Sequence, residues 1–145
     1  MMIDSDKSIP IIRFTSIDQA YEYLDWWKSV LFLNNWIIKL NLVEPHELDD
    51  STGHIRMNLE GYTAVIDIID PNEDPDYQVD SRITRFVAEQ SLVHELLHLK
   101  YNTLDNDSTY EGRFLEMIQH RYLDQMATSL IMAKYNLDLS WFKNF

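Results

Sequence analysis

The chain has 145 residues, 46% of them apolar and 12% aromatic, which suits one domain with a modest core. Lys and Arg number 12 against 24 Asp and Glu, a formal net charge of −12; such a surface repels phosphate backbones and anionic lipid and attracts divalent cations, so neither nucleic acid nor membrane is an expected partner. Cysteine is absent, so there is no disulfide and no thiolate ligand or nucleophile, and any metal site must be built from His and carboxylate.

The first residues, Met1-Met2-Ile3-Asp4-Ser5-Asp6, lack a basic segment followed by an apolar core, and no run approaches 18 apolar residues. A cytoplasmic protein is the expectation.

In chain order, residues 16 to 33 have helical spacing, with Ile17, Ala20, Tyr21, Leu24, Trp27, Val30 and Leu31 recurring at three and four. Ser16, three residues before Gln19, is placed to cap that helix, and Asn34-Asn35 breaks it. Trp36 to Val43 reads as a strand, and Pro45 to Gly53 as a polar loop. His54 to Leu59 alternates, Glu60-Gly61 makes a tight connection, and Tyr62 to Ile69 follows; these two strands should form a hairpin. Asp70 to Asp80, with Pro71, Pro75 and five acidic residues, reads as loop, and its carboxylates do not match the spacing of an EF-hand. From Ser81 or Ile83 to about Tyr101 the helical period returns, carried by Ile83, Phe86, Val87, Gln90, Val93 and Leu97. After a polar break from Asn102 to Ser108, a long helix runs from Thr109 or Tyr110 to about Tyr135. The expected architecture is one α+β domain spanning 1–145: an N-terminal helix, a short and mostly antiparallel sheet, a second helix and a long C-terminal helix. Trp26, Trp27 and Trp36 are expected in the core or an interface.

The chemistry concentrates in His94-Glu95-Leu96-Leu97-His98, inside the second helix. Positions four apart lie on nearly the same helical face, one turn apart, so both imidazoles can reach one Zn²⁺ at roughly 2.0–2.1 Å. Glu95 stands too far round the helix to be a good ligand but can touch a water on the metal. Zinc lowers the pKa of such a water to about 7, and a neighbouring carboxylate can take its proton as attack begins. Val93, Leu96, Leu97 and Leu99 surround the motif, and burying two His and a Glu without partners would be costly.

On this motif the chain resembles the zincin metallopeptidases, and within them the small phage- or prophage-type metallopeptidase-like proteins and the minigluzincins. The opening Tyr23-Leu24-Asp25-Trp26-Trp27, with Asn35-Trp36-Ile37-Ile38 after it, is similar to the tryptophan-rich start of such phage proteins. The order of elements fits nearly the full chain; only the five-residue motif is sharp. The resemblance implies a small zincin-like domain whose sheet has an edge strand able to hold extended substrate, with the metal helix beneath it.

A catalytic zinc normally has three protein ligands and one open position, and the last helix is the expected source of the third. In gluzincins that ligand is a Glu, followed four residues later by an Asp that hydrogen-bonds a ligand His. Two registers are available here. His120, 22 residues after His98, is followed at the fourth position by Asp124; Glu116, 18 residues after His98, is followed by His120. The first reproduces the ligand-then-Asp pattern with His in place of Glu, and SprT-type proteins with a third His are a nearby comparison. The second keeps the usual Glu and loses the Asp. His120 is preferred, with Glu116 as the alternative and Asp124 as the carboxylate orienting a ligand His. Tyr110, Arg113 and His54 are candidates for stabilising an oxyanion; His46, in an acidic loop, needs no role.

The expected function is therefore a zinc metallopeptidase with His94, His98 and His120 as ligands and Glu95 as general base, acting on a peptide or protein substrate. The alternative is a zinc-stabilised binding or regulatory protein of phage or mobile-element type. Retention of Glu95 favours the enzyme; small size favours the binder.

Overall fold

The structure, a computed structural model, describes residues 16–48, 51–73, 88–101 and 110–136. Helix α1 (Ile17–Val30) starts at Ser16, whose hydroxyl accepts the Gln19 N–H at 3.2 Å and satisfies one of the donors left free in the first turn. It presents Ala20, Leu24 and Trp27 to the interior. The helix stops at Leu31, three residues before Asn34-Asn35. The Leu33 N–H returns to the Lys28 carbonyl at 2.7 Å and the Phe32 N–H to the Ser29 carbonyl at 3.3 Å, which makes a Schellman ending. The left-handed position of that motif, usually Gly, is held by Phe32 at φ 60°.

Three strands follow: β1 (Ile37–Val43), β2 (Gly53–Asn58) and β3 (Thr63–Ile69). β2 and β3 pair antiparallel across the Leu59–Tyr62 turn, with Gly53 opposite Ile68 and Asn58 opposite Thr63, which is the expected hairpin. The Asn58 side chain accepts the Glu60 and Gly61 N–H groups at 3.1 Å, and the left-handed residue of the turn is Tyr62, φ 54°. β1 pairs with β3 in parallel, Ile37 opposite Thr63 and Val43 opposite Ile69. The sheet order is therefore β1-β3-β2, and the sheet is mixed where a mostly antiparallel one was expected. After β1 the chain crosses to the far side of β3's position before returning as the hairpin, which leaves β3 central and parallel to β1.

One face of the sheet is apolar. Ile38 and Leu40 of β1, and Ala64, Ile66 and Ile68 of β3, are buried against the helices, while Ile55 and Met57 of β2 pack on the rim of the same core. The other face is polar: Asp67 accepts from the Asn41 amide at 2.9 Å and lies 3.6 Å from Arg56. Tyr21 of α1 guards the outer edge of β1, its hydroxyl accepting the Leu40 N–H at 2.9 Å.

Helix α2 (Ala88–Lys100) lies under the apolar face, against β2, β3 and α1. Nearly every side chain from Ala88 to Leu99 is buried, which explains its apolar sequence; His94 is the one partly open exception. Helix α3 (Tyr110–Tyr135) packs mainly on α2 and buries Leu123, Ala127 and Ile131 at four-residue spacing. The helical start expected at Ser81 or Ile83, and the loops 74–80 and 102–108, lie outside the described residues. No helix among the described residues is long and apolar enough to cross a membrane.

Candidate metal centre

α2 and α3 run antiparallel, so His94 and His98 on α2 meet the middle of α3, where His120 and Asp124 face them. His94, His98 and His120 form the one group among the described residues able to offer three ligand atoms within 4.8 Å of one another. The rings surround a common point: centroids are 4.7 Å apart for His94 and His98, 4.8 Å for His98 and His120, and 5.5 Å for His94 and His120. The Nε2 atoms of His94 and His98 face each other at 3.0 Å. Two nitrogens bound tetrahedrally to zinc at about 2.0–2.1 Å stand about 3.3 Å apart, so this pair fits the ion nearly as it stands. His120 is exposed and offers a ligand atom within 4.8 Å of both. Glu116, one turn earlier on α3 and half-buried, is not a member of the group.

Asp124 lies one turn after His120, with Oδ1 2.7 Å from His94 Nδ1. The contact does not meet hydrogen-bond geometry, but at that separation nothing can stand between the two atoms, and it is an ion-pair contact when His94 is protonated. A carboxylate on Nδ1 fixes the ring and leaves Nε2 aimed at the site.

The electrostatics separate the three buried groups. Burial pulls His94 down, but contact with Asp124 and the charges of Glu95 and Asp124 outweigh it, so His94 titrates above its ordinary 6.5. His98 is pushed down to about 4 by burial and by the charges of His94 and His120. His98 is therefore neutral at neutral pH, the form in which an imidazole ligates a metal. Burial raises Glu95 to about 7, against the pull of His94 and with the push of Asp124.

Gly53 makes room for that carboxylate. A Cβ at position 53 would stand 3.2 Å from both Cγ and Oε1 of Glu95, closer than carbon normally tolerates. Along the chain Gly53 is only the end of a loop; its role comes from the approach of a helix over 40 residues away.

Of the oxyanion candidates, His54 is exposed on β2, alternating with Gly53 and Ile55, and so lies on the face away from Glu95. It borders a surface hollow with Arg56 and Asp67 and is withdrawn from the site. Arg113 is exposed and lies two turns before His120 on the same side of α3. The Tyr110 side chain lies outside the described residues. His46 is exposed beside Glu44, 3.2 Å away. Trp27 and Trp36 are core residues as expected, while Trp26 is nearly half exposed.

Sequence reading also passed over Glu89. It is fully buried on α2, five residues before His94, and accepts hydrogen bonds from Trp27 Nε1 at 2.8 Å, Lys134 Nζ at 2.6 Å and Tyr135 Oη at 2.5 Å. A lone Glu in an apolar helical stretch was the only available signal. No protein-family model, curated protein or solved structure matches the chain.

Proposed function

We propose that this chain is a zinc-dependent hydrolase that cleaves peptide bonds. The observation that carries the reading is the convergence of three imidazoles on one point with a buried, non-ligating carboxylate beside them. Three neutral nitrogens match a catalytic zinc, which keeps one position open, and the acidic surface favours cation capture. When bound, zinc supplies a Lewis acid that polarises a carbonyl and makes water acidic near neutral pH.

The chain's own groups do the rest. His94, His98 and His120 hold the ion through ring nitrogens, and Asp124 keeps His94 turned toward it. Glu95, adjacent to a ligand and kept ionised by the neighbouring cation, takes the proton of the attacking water on a carboxylate oxygen and returns it to the leaving nitrogen. Gly53 keeps the space that lets Glu95 lie there. Among the described residues β2 is an edge strand beside α2, so an extended peptide can add to it by main-chain hydrogen bonds.

The test is metal analysis with a peptide-library assay at neutral pH. The expected result is about one zinc per chain and hydrolysis that falls by roughly 10²–10⁴-fold in Glu95→Gln with zinc retained. A folded, zinc-replete preparation that holds no metal overturns the reading.

A further inference from the structure

The three donors around Glu89 come from two other helices, Trp27 from α1 and Lys134 and Tyr135 from α3. The Lys134 ammonium is further enclosed by the rings of Trp26 at 4.4 Å and Tyr23 at 4.7 Å. Replacing such a buried pair by apolar groups of similar size often leaves stability unchanged or improved, so its presence calls for another explanation, and fixing register is the best attested.

The apolar part of the α2–α3 contact specifies register poorly. Leu123, Ala127 and Ile131 repeat every four residues, and a slide of one turn would leave most of that apolar row against α2. The same slide is not neutral at the metal site. Glu116, His120 and Asp124 also repeat every four residues, so sliding α3 by one turn sets Glu116, or in the other direction Asp124, where His120 stands. Packing alone therefore leaves the third ligand undecided among three side chains of different chemistry. The Lys134–Tyr135 pair has no counterpart one turn earlier, where Leu130 and Ile131 stand. A slide that brings those two to Glu89 takes away two of its three donors and its only cationic partner among the described residues, leaving a buried carboxylate with Trp27 alone.

We propose that Glu89 is a positioning residue: by gripping Lys134 and Tyr135 it locks α3 in the one register that presents His120, and so makes the centre a three-histidine site. This rests on the metal-site reading above. It predicts that the lock acts at a distance, without touching metal or substrate.

The test uses Glu89→Met combined with Lys134→Met, which preserves bulk and apolar packing, and reads two quantities. X-ray absorption and competition titration on the zinc-loaded protein count imidazole ligands and measure affinity. The absence of cysteine allows nitroxides at Lys100→Cys and Ser129→Cys to report the helix register in metal-free protein. The expected result is native helix content, zinc affinity lowered at least tenfold, fewer than three imidazoles, and a distance distribution broadened or shifted by roughly 5 Å, one helical pitch. Unchanged distances overturn the proposal even if affinity falls, and so does retention of three imidazoles with affinity within twofold. If the wild type binds no metal, the metal-site reading fails, and the nitroxide distances alone still decide whether Glu89 sets register. Should the double variant not fold, Glu89→Gln, which keeps the shape but removes the charge, is judged by the same criteria.

Discussion

Glu95 is expected to make the metal-free protein less stable as pH rises, and Glu95→Gln should remove that dependence. In the unfolded chain the carboxyl titrates near 4.5, and in the fold burial lifts it to about 7. The folded state thus binds the proton more tightly, so stability is fully present below pH 4.5 and is lost as pH rises through 7. At about 1.4 kcal/mol per pH unit, the loss is about 3 kcal/mol above pH 7. Glutamine occupies the same space beside Gly53 and never ionises. The variant should match wild type at pH 4.5, gain steadily to pH 7 and level off about 3 kcal/mol more stable, which for a chain this size is about 10 °C in melting temperature. His94 and His98 titrate in both proteins and largely cancel in the difference. Thermal and urea unfolding followed by circular dichroism from pH 4.5 to 8.5, in chelator, measures it. With zinc bound, the nearby cation holds Glu95 ionised and the pH dependence of the difference should shrink. A difference between the two proteins that stays flat with pH in chelator would refute the assignment of Glu95 as a buried, desolvated carboxyl.

On the proposed zinc site, the metal would bind the folded state preferentially, so verified chelation should lower the melting temperature, by an amount that grows with free zinc concentration in the reloaded protein; an unchanged melt places the metal outside the core of the fold. In competition titration His120→Ala should lose at least tenfold more zinc affinity than Glu116→Ala, and the reverse order would give the ligand role to Glu116. Gly53→Val should displace Glu95 while the ligands stay in place, so hydrolysis falls with zinc content near one per chain; a variant as active as wild type shows that the close approach at position 53 is irrelevant to the base. Phe32→Gly should stabilise the fold by about 0.5–1 kcal/mol in urea titration, because Phe32 is 82% exposed and pays for a left-handed backbone that glycine adopts freely.

The sequence by itself determined what depends on neighbours along the chain. Ser16 three residues before Gln19 marked the start of α1, and the alternating segments on either side of Glu60-Gly61 became the β2–β3 hairpin. Four-residue spacing put His94 and His98 on one turn of α2, because helical periodicity is a local property that a handful of contiguous residues express. Tertiary structure decided what two distant segments do to each other. The parallel pairing of β1 with β3 depends on the path of the chain between them, which strand periodicity does not encode. Gly53 acquires meaning only when Glu95 lies over it. His120 and Glu116 share a face of α3, and along the chain only the Asp124 that follows His120 at the fourth position favours it. They part only when α3 docks on α2 in one register, and that register rests on the contact of Glu89 with Lys134, 45 residues away, where burial makes a missing partner too costly to tolerate.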